Sequence, residues 1–184
     1  MSLELKIGLI ALLLSLLSLS LQALSIWRER VSLSVEQDLS EDAYAFPFVM
    51  YDRYDCLFFR MLISNKANSE VSVTRIVLID KQGKKYTPES YDVPDYRNKD
   101  GISLKLKNDD QHYIPYNLRS ENILDQLRIP PYGHVSGFAV FLHGPVIEKE
   151  EIFSVDVQTP VKKYRMKVKV SPLPNTIIPD HIPK

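Results

Sequence analysis

The chain has a single cysteine, Cys56, and only six glycines among its 184 residues. One cysteine excludes an intrachain disulfide framework, and the low glycine content excludes a low-complexity or collagen-like chain. Basic and acidic residues are equal in number, 23 of each. Because the chain lacks the excess of positive charge with which proteins attract nucleic acids, we expect no nucleic-acid partner.

The sequence does contain an uncharged run of 21 residues, from Ile7 to Trp27. A helix of this length rises about 30 Å, which matches the hydrocarbon thickness of a bilayer. We therefore predict that residues 1–30 form an N-terminal transmembrane anchor in a lipid bilayer. A cleaved signal peptide is the alternative, because Ala23-Leu24-Ser25 fits a cleavage pattern, but the apolar run is longer than such peptides usually have.

Small and weakly polar residues of this run recur at alternating spacings of three and four positions. That period places them on one stripe of a helix, whereas leucine and isoleucine cover the remaining surface. In lipid, helix association depends on close approach and on interhelical hydrogen bonds. We predict that the stripe is a helix–helix interface, formed by Gly8, Ala11, Ser15, Ser18, Gln22 and Ser25. The alternative is a simple anchor in which these residues have no partner.

The charges that flank the run predict how the chain crosses the membrane. Trp27, Arg28 and Arg30 form the expected membrane boundary on one side, and Lys6 lies on the other. Because cytoplasmic flanks carry the excess of lysine and arginine, we expect a single-pass protein with its main domain in the cytoplasm. An extracytoplasmic domain is the alternative, since the margin is one positive charge.

Residues 31–170 read as a series of short strands. Val135–Leu142 and Cys56–Ser64 are dense apolar runs, and Val161–Val170 alternates strictly between apolar and basic residues. Asp80-Lys81-Gln82-Gly83 is typical of a hairpin turn, and Ser120 is expected to cap a helical turn that ends before Pro130. The pattern predicts an all-β, antiparallel sandwich with Greek-key connections, followed by a proline-rich extended tail over residues 171–184.

Two segments of this region resemble a recurrent pattern. One is Phe59–Asn65 with the following Val71–Ile76, and the other is the proline–glycine turn and strand of Ile129–Phe138. Both are similar to segments of membrane-anchored, immunoglobulin-like β-sandwich domains in uncharacterised bacterial and phage proteins. The resemblance implies an immunoglobulin-like fold. It implies no active-site residues, and the paired cysteines of antibody domains are missing.

No residue pattern in the chain predicts a catalytic or cofactor site. The four histidines show no metal-binding spacing, and Cys56 lies in an apolar run that predicts a buried side chain. Carboxylates could meet at one end of a sandwich, but their spacing matches no calcium loop; they are Asp52, Asp55, Asp92, Asp95 and Asp100. We expect no enzyme activity, no cofactor and no metal site.

Two surface patterns remain as candidates for binding. Lys163, Arg165, Lys167 and Lys169 project from one face of a strand, where they could contact an anionic surface or protect a sheet edge from pairing. Tyrosines are frequent in and beside the predicted loops, where they could form an interface or pack the loops; they are Tyr51, Tyr54, Tyr86, Tyr91, Tyr96, Tyr113 and Tyr116. The sequence thus predicts a membrane-anchored protein–protein interaction module that assembles partly through its helix. The alternative is an envelope or lipid-surface binding module.

Overall fold

In the computed structural model, residues 3–28, 31–49, 53–91 and 97–179 are described. One helix, α1 (Leu3–Arg28), precedes a region that consists mostly of strands. In chain order these are β1 (Leu33–Gln37), β2 (Tyr44–Val49), β3 (Arg53–Asn65), β4 (Val71–Ser72), β5 (Arg75–Ile79), β6 (Lys85–Tyr86), β7 (Ile102–Leu106), β8 (Asp109–Tyr116), β9 (Arg128–Ile129), β10 (His134–Phe141), β11 (Glu151–Gln158), β12 (Lys163–Pro172) and β13 (Ile177–Pro179). The prediction of a β-rich chain behind one N-terminal helix is confirmed.

Strand β3 is the centre of the fold and is buried on both faces over Cys56–Phe59. Its odd-numbered residues, such as Leu57 and Phe59, face a core shared with β5, β11 and β12. Of its even-numbered residues, Cys56 and Phe58 face a second core that β7 and β8 cover, and those after Phe58 are partly exposed. Successive side chains of a strand point to opposite faces, so β3 needs a covering layer on each side. The structure therefore has three layers around two cores.

The sheets are mixed, which corrects the prediction of a purely antiparallel arrangement. Strand β3 pairs antiparallel with β10 on one edge and with β1 and β2 on the other. Strands β12, β11, β5 and β6 form an antiparallel series. A short parallel pair joins the two groups, in which Ser171 lies opposite Tyr44 and Pro172 opposite Ala45.

Proline is tolerated in this parallel pair because its missing N–H group is not needed there. The backbone N–H groups of Ser171 and Leu173 donate to the carbonyl oxygens of Ala43 and Ala45, at 3.0 and 3.3 Å. Pro172 lies between these two donors, so no hydrogen bond of the ladder is lost. Residues 171–179 of the predicted tail are thus part of the domain, since β12 continues to Pro172 and β13 pairs with β7; the remaining tail residues lie outside the described residues.

Most predicted turns and strands are present, with two local corrections. Gly83 has a φ of 82° and closes the predicted hairpin turn, which supports the assignment of that turn. The helical turn is a 3₁₀ helix of Ile123–Gln126, and its cap is Asn122 rather than Ser120. The Asn122 side chain is nearly inaccessible and accepts a hydrogen bond from the Leu124 N–H at 2.9 Å, which a serine two residues earlier does not reach.

Candidate interaction surfaces

Helix α1 is the one described helix long and apolar enough to cross a membrane. No part of its Lys6–Ile26 segment is buried against the rest of the chain, so it is not a core helix of the β domain. All six stripe residues lie within the helix. Ser20, which lies off the stripe, donates its hydroxyl hydrogen to the carbonyl oxygens of Leu16 and Leu17. Its polar group is therefore satisfied within the helix.

The boundary residues predicted at the end of this helix are only partly described. Trp27 and Arg28 belong to the last turn of α1. Their side chains, and all of Arg30, lie outside the described residues. The same holds for Asp52, Asp92 and Asp95 of the predicted carboxylate group.

The basic residues of β12 project outward as predicted, but three of the four take part in ion pairs. The Arg165 guanidinium donates two hydrogen bonds to Asp156, at 2.7 and 3.1 Å. Lys163 Nζ lies 3.1 Å from Asp156 Oδ2, and Lys169 Nζ lies 2.8 Å from Glu150 Oε2. These carboxylates offset much of the positive charge of this face.

Asp156 is an acidic residue on the neighbouring strand β11 and is 3% exposed. Hydrogen bonds from Arg165 hold the pKa of its carboxyl group below the usual range, and Lys163 adds to the effect. A buried carboxylate is stable only when it is paired in this way. Asp156 was not among the site residues predicted from the sequence. A signal was available, since it is the one charged residue of the mostly apolar strand segment Ile152–Val157.

We expect the substitution Asp156→Asn to destabilise the protein by about 1–3 kcal/mol at pH 7, because charge-assisted hydrogen bonds are lost from a buried position. The pKa of Asp156 is lower in the folded chain than in the unfolded chain. Its stabilisation is therefore complete above the unfolded pKa of about 3.9 and disappears as pH falls through the folded value. Urea unfolding of the full chain in detergent, at pH 7 and at pH 3, measures this.

The matched control is Lys167→Gln, which removes a β12 charge that makes no ion pair among the described residues. We expect that substitution to leave the unfolding free energy nearly unchanged at both pH values. If Asp156→Asn and the original protein lost stability in parallel between pH 7 and pH 3, the role of the Asp156 carboxylate would be refuted.

Between Tyr164 and Lys169, the edge of β12 opposite β11 is joined to residues 31–37 by side-chain hydrogen bonds rather than by a strand ladder. The Gln37 amide accepts from the Lys169 N–H at 2.9 Å and donates to the Lys169 carbonyl at 3.1 Å. The Tyr164 hydroxyl donates to the carbonyl oxygen of Val31 at 2.8 Å. Outward lysines beside such an edge disfavour pairing with another chain.

A third surface, not predicted from the sequence, lies on the sheet of β13, β7 and β8, which we call the third sheet. Ile102, Leu104 and Tyr116 on the inner face of this sheet are buried against β3 and β10. The same face continues beyond that core to Leu106 and Ile114, which are 47% and 52% exposed. We call this continuation the overhang.

An open apolar cavity of about 290 Å³ lies at the overhang. Its lining residues come from all three strands; they are Leu104, Lys105, Leu106, His112, Tyr113, Ile114 and Ile177. Exposed apolar surface that is continuous with a core is typical of a binding site for another protein. The strand that supplies Ile114 was not predicted, since its sequence DDQHYIPY carries little of the usual apolar alternation.

Some tyrosines of the predicted group are packed in the domain, and others are exposed. Tyr91 and Tyr116 are buried in the second core, and Tyr86 is half-buried. Tyr113 is 43% exposed, and its ring lies 5.2 Å from the Arg97 guanidinium. The structure does not bring these tyrosines to one surface. Tyr51, Tyr96 and the side chain of Tyr54 lie outside the described residues.

Among the described residues, no three histidine, cysteine or acidic side chains are grouped so as to hold a metal ion. Cys56 is 1% exposed, and burial raises the pKa of its thiol to about 12. A protonated, inaccessible thiol is a poor nucleophile. The predicted buried position of Cys56 is confirmed.

Comparisons with known proteins assign no family to this chain. No protein-family model matches the chain, and neither does any curated protein. Among solved structures, Northeast Structural Genomics Consortium target SoR45 is similar at 10% identity with a TM-score of 0.30, over 77% of this chain and 85% of that one. A family 123 glycoside hydrolase from Clostridium perfringens is similar at 11% identity with a TM-score of 0.33. That match covers 80% of this chain but 28% of the hydrolase. TM-scores this low do not support the transfer of a fold family or an activity.

Proposed function

We propose that this chain is a single-pass membrane protein whose β domain, on the cytoplasmic side, binds a partner protein as a non-catalytic accessory subunit. The observation that carries the proposal is the overhang. Leu106 and Ile114 continue the apolar face of the third sheet past the core that covers the rest of it. Removing such surface from water is worth about 25 cal/mol per Å², which favours a partner there.

The β domain is proposed to be immunoglobulin-like. In support, β1, β2, β3 and β10 form one group and β12, β11, β5 and β6 the other, and the two groups face each other across the first core. Strands β7 and β8 of the third sheet are then an insertion between β6 and β10 in the chain, and β13 joins them from the C-terminal segment. Because the insertion carries the overhang, it provides a binding surface that the two facing groups lack.

Association of α1 through its stripe is the second element of the proposal. The apolar surface of α1 is exposed along its whole Lys6–Ile26 segment, so the β domain does not occupy the stripe. The alternative, binding to an anionic envelope surface through β12, receives less support. Asp156 and Glu150 pair with three of the four basic residues on which it depends.

Photo-crosslinking in the membrane tests the proposal. A photoreactive amino acid at Ile114 is expected to give an adduct of one defined mass, because the partner covers the overhang. The matched control is Ile152, which is 55% exposed compared with 52% for Ile114 but lies on β11, away from the overhang. Equal adduct patterns from the two positions, or none from either, would contradict a binding site at the overhang.

The same experiment is applied to α1 at Ser18 and Leu16. These positions lie at a similar depth, but two residues of a helix are separated by about 200° around its axis. We expect an adduct from Ser18 on the stripe and little from Leu16. Equal yields would return α1 to a simple anchor, without affecting the result at Ile114.

A further inference from the structure

One end of the β domain is fixed close to the C-terminal end of α1. The helix ends at Arg28, and Val31 is already held by the hydrogen bond from Tyr164, at 2.8 Å. Ser32 accepts a hydrogen bond from the Lys66 N–H, also at 2.8 Å. A chain advances at most about 3.6 Å per residue, so Arg28 and Val31 lie within about 11 Å of each other.

Several loops meet at this end of the domain. The turn after β3 follows Lys66, and its Ala67 carbonyl accepts from the Tyr132 N–H at 3.1 Å. The β11–β12 turn carries Val161 and Lys162, and Lys162 Nζ lies 5.0 Å from the centre of the Tyr164 ring. We call these loops, with Lys66, Tyr132, Val161 and Lys162, the helix-end surface.

The helix-end surface presents two of the most exposed apolar side chains of the β domain. Tyr132 is 70% exposed and Val161 is 77% exposed. Tyr132 has a φ of 53°, in a turn that the Gly133 N–H closes on the Pro130 carbonyl at 3.0 Å. Glycine or asparagine is the usual choice at such a φ. This position is instead occupied by a tyrosine, whose strained backbone conformation directs the aromatic side chain outward.

Basic residues surround these apolar side chains. Lys66 and Lys162 are exposed, and so is Arg75, which lies opposite Gln158 at the same end of the domain. Glu70, in the turn after β3, is an exposed carboxylate. Tyrosine has an apolar ring and a polar hydroxyl, which suits the boundary between lipid tails and water. Lysine and arginine are attracted to anionic headgroups. This combination fits a bilayer surface better than a second apolar protein face.

We propose that the helix-end surface rests in the lipid headgroup layer, with Tyr132 and Val161 inserted and with Lys66, Arg75 and Lys162 facing anionic headgroups. The proposal rests on the membrane anchoring proposed above. It differs from binding through β12, because the outward face of that strand lies along the side of the domain. The consequence is a fixed orientation of the β domain relative to the bilayer, with no residue of the overhang in the surface that meets lipid.

The opposite end of the domain offers a matched control. Val146 is 65% exposed and lies between β10 and β11, whereas Val161 lies between β11 and β12. The eight residues of β11 separate these two connections. At about 3.4 Å per residue, the two ends are about 24 Å apart. A label at position 146 should therefore stay in water when a label at position 161 reaches lipid.

The experiment uses the full chain reconstituted in vesicles of phosphatidylcholine and phosphatidylglycerol. Cysteine is introduced separately as Tyr132→Cys, Val161→Cys and Val146→Cys and is labelled with an environment-sensitive fluorophore; native Cys56 is too buried to react. Lipids with a nitroxide near the headgroup are the quencher. We expect at least twofold stronger quenching at positions 132 and 161 than at 146.

Equal quenching at all three positions, in protein that resists alkaline extraction, overturns the proposal. A blue-shifted label that lipid does not quench also overturns it, because a second copy of the chain would then cover the surface. Protein that alkaline extraction removes from the vesicles would refute the anchor itself, which separates failure of the proposed function from failure of this inference.

Two variants test the individual contributions through the label at position 161. Tyr132→Asn removes the aromatic ring at a φ that asparagine accepts, so we expect weaker quenching with the thermal midpoint unchanged within about 3 °C. Lys66→Glu with Lys162→Glu should weaken quenching in anionic vesicles but not in pure phosphatidylcholine. Quenching that neither variant reduces would overturn the assignment of these residues.

Discussion

Replacing Phe58 by alanine is expected to lower the free energy of unfolding by about 3–5 kcal/mol, the usual cost of deleting a buried aromatic side chain. Phe58 is completely buried in the second core. Its ring centre lies 4.9 Å from that of Tyr116 and 6.0 Å from that of Phe138. Those partners come from β8 in the covering sheet and from β10, which pairs with β3, so the substitution removes contacts both within the layer and between layers. Urea unfolding of the full chain in detergent measures the loss.

The expectation depends on the third sheet covering this face of β3. If β7 and β8 did not pack there, Phe58 would be a surface residue and its truncation would cost less than about 0.5 kcal/mol. Ile114→Ala, on the exposed part of the third sheet, is the control, and we expect it to cost well under 1 kcal/mol. A small effect of Phe58→Ala would therefore refute the three-layer arrangement, whereas the control should be insensitive to it.

The two buried faces of β3 could be predicted in part from the sequence. The dense apolar run of Cys56–Ser64 indicates a strand with no solvent face, because exposed faces usually show alternation. The covering layer could not be predicted, since β7 alternates like a strand of which only one face is buried. Its partner β8 contains Asp109, His112 and Pro115, which match no strong strand pattern. Which distant strand covers a face is decided by long-range packing and not by local sequence.

The surfaces of the domain could likewise be predicted from the sequence only in part. The alternation of β12 correctly predicts which side chains face inward and which face solvent. It does not predict that Asp156 and Glu150 accept three of the basic groups, since that depends on the register between β11 and β12. The overhang exists because the third sheet extends past the core that it covers. Local sequence periodicity carries no such information.

Replacing Leu13 and Leu17 by arginine is expected to release the protein from the membrane. Each substitution near the middle of a span costs about 3–4 kcal/mol of insertion free energy, so the pair costs about 6–8 kcal/mol. The nine leucines and three isoleucines of Ile7–Trp27 supply about 4–7 kcal/mol on the same scale. The cost of the two substitutions is therefore about as large as the driving force for insertion or larger. Alkaline extraction of membranes, followed by immunoblotting of pellet and supernatant, measures the result.

The same charges placed on the β domain provide the matched control. Leu39 and Ile152 are 80% and 55% exposed, and replacing both by arginine adds two charges without entering lipid or a core. That variant should stay in the alkali-resistant pellet, as the original protein does. If the Leu13 and Leu17 variant also stayed in the pellet, the chain would be held by contacts other than α1. If the original protein were itself extracted, α1 would be no anchor, and the orientation inferred for the helix-end surface would lose its foundation.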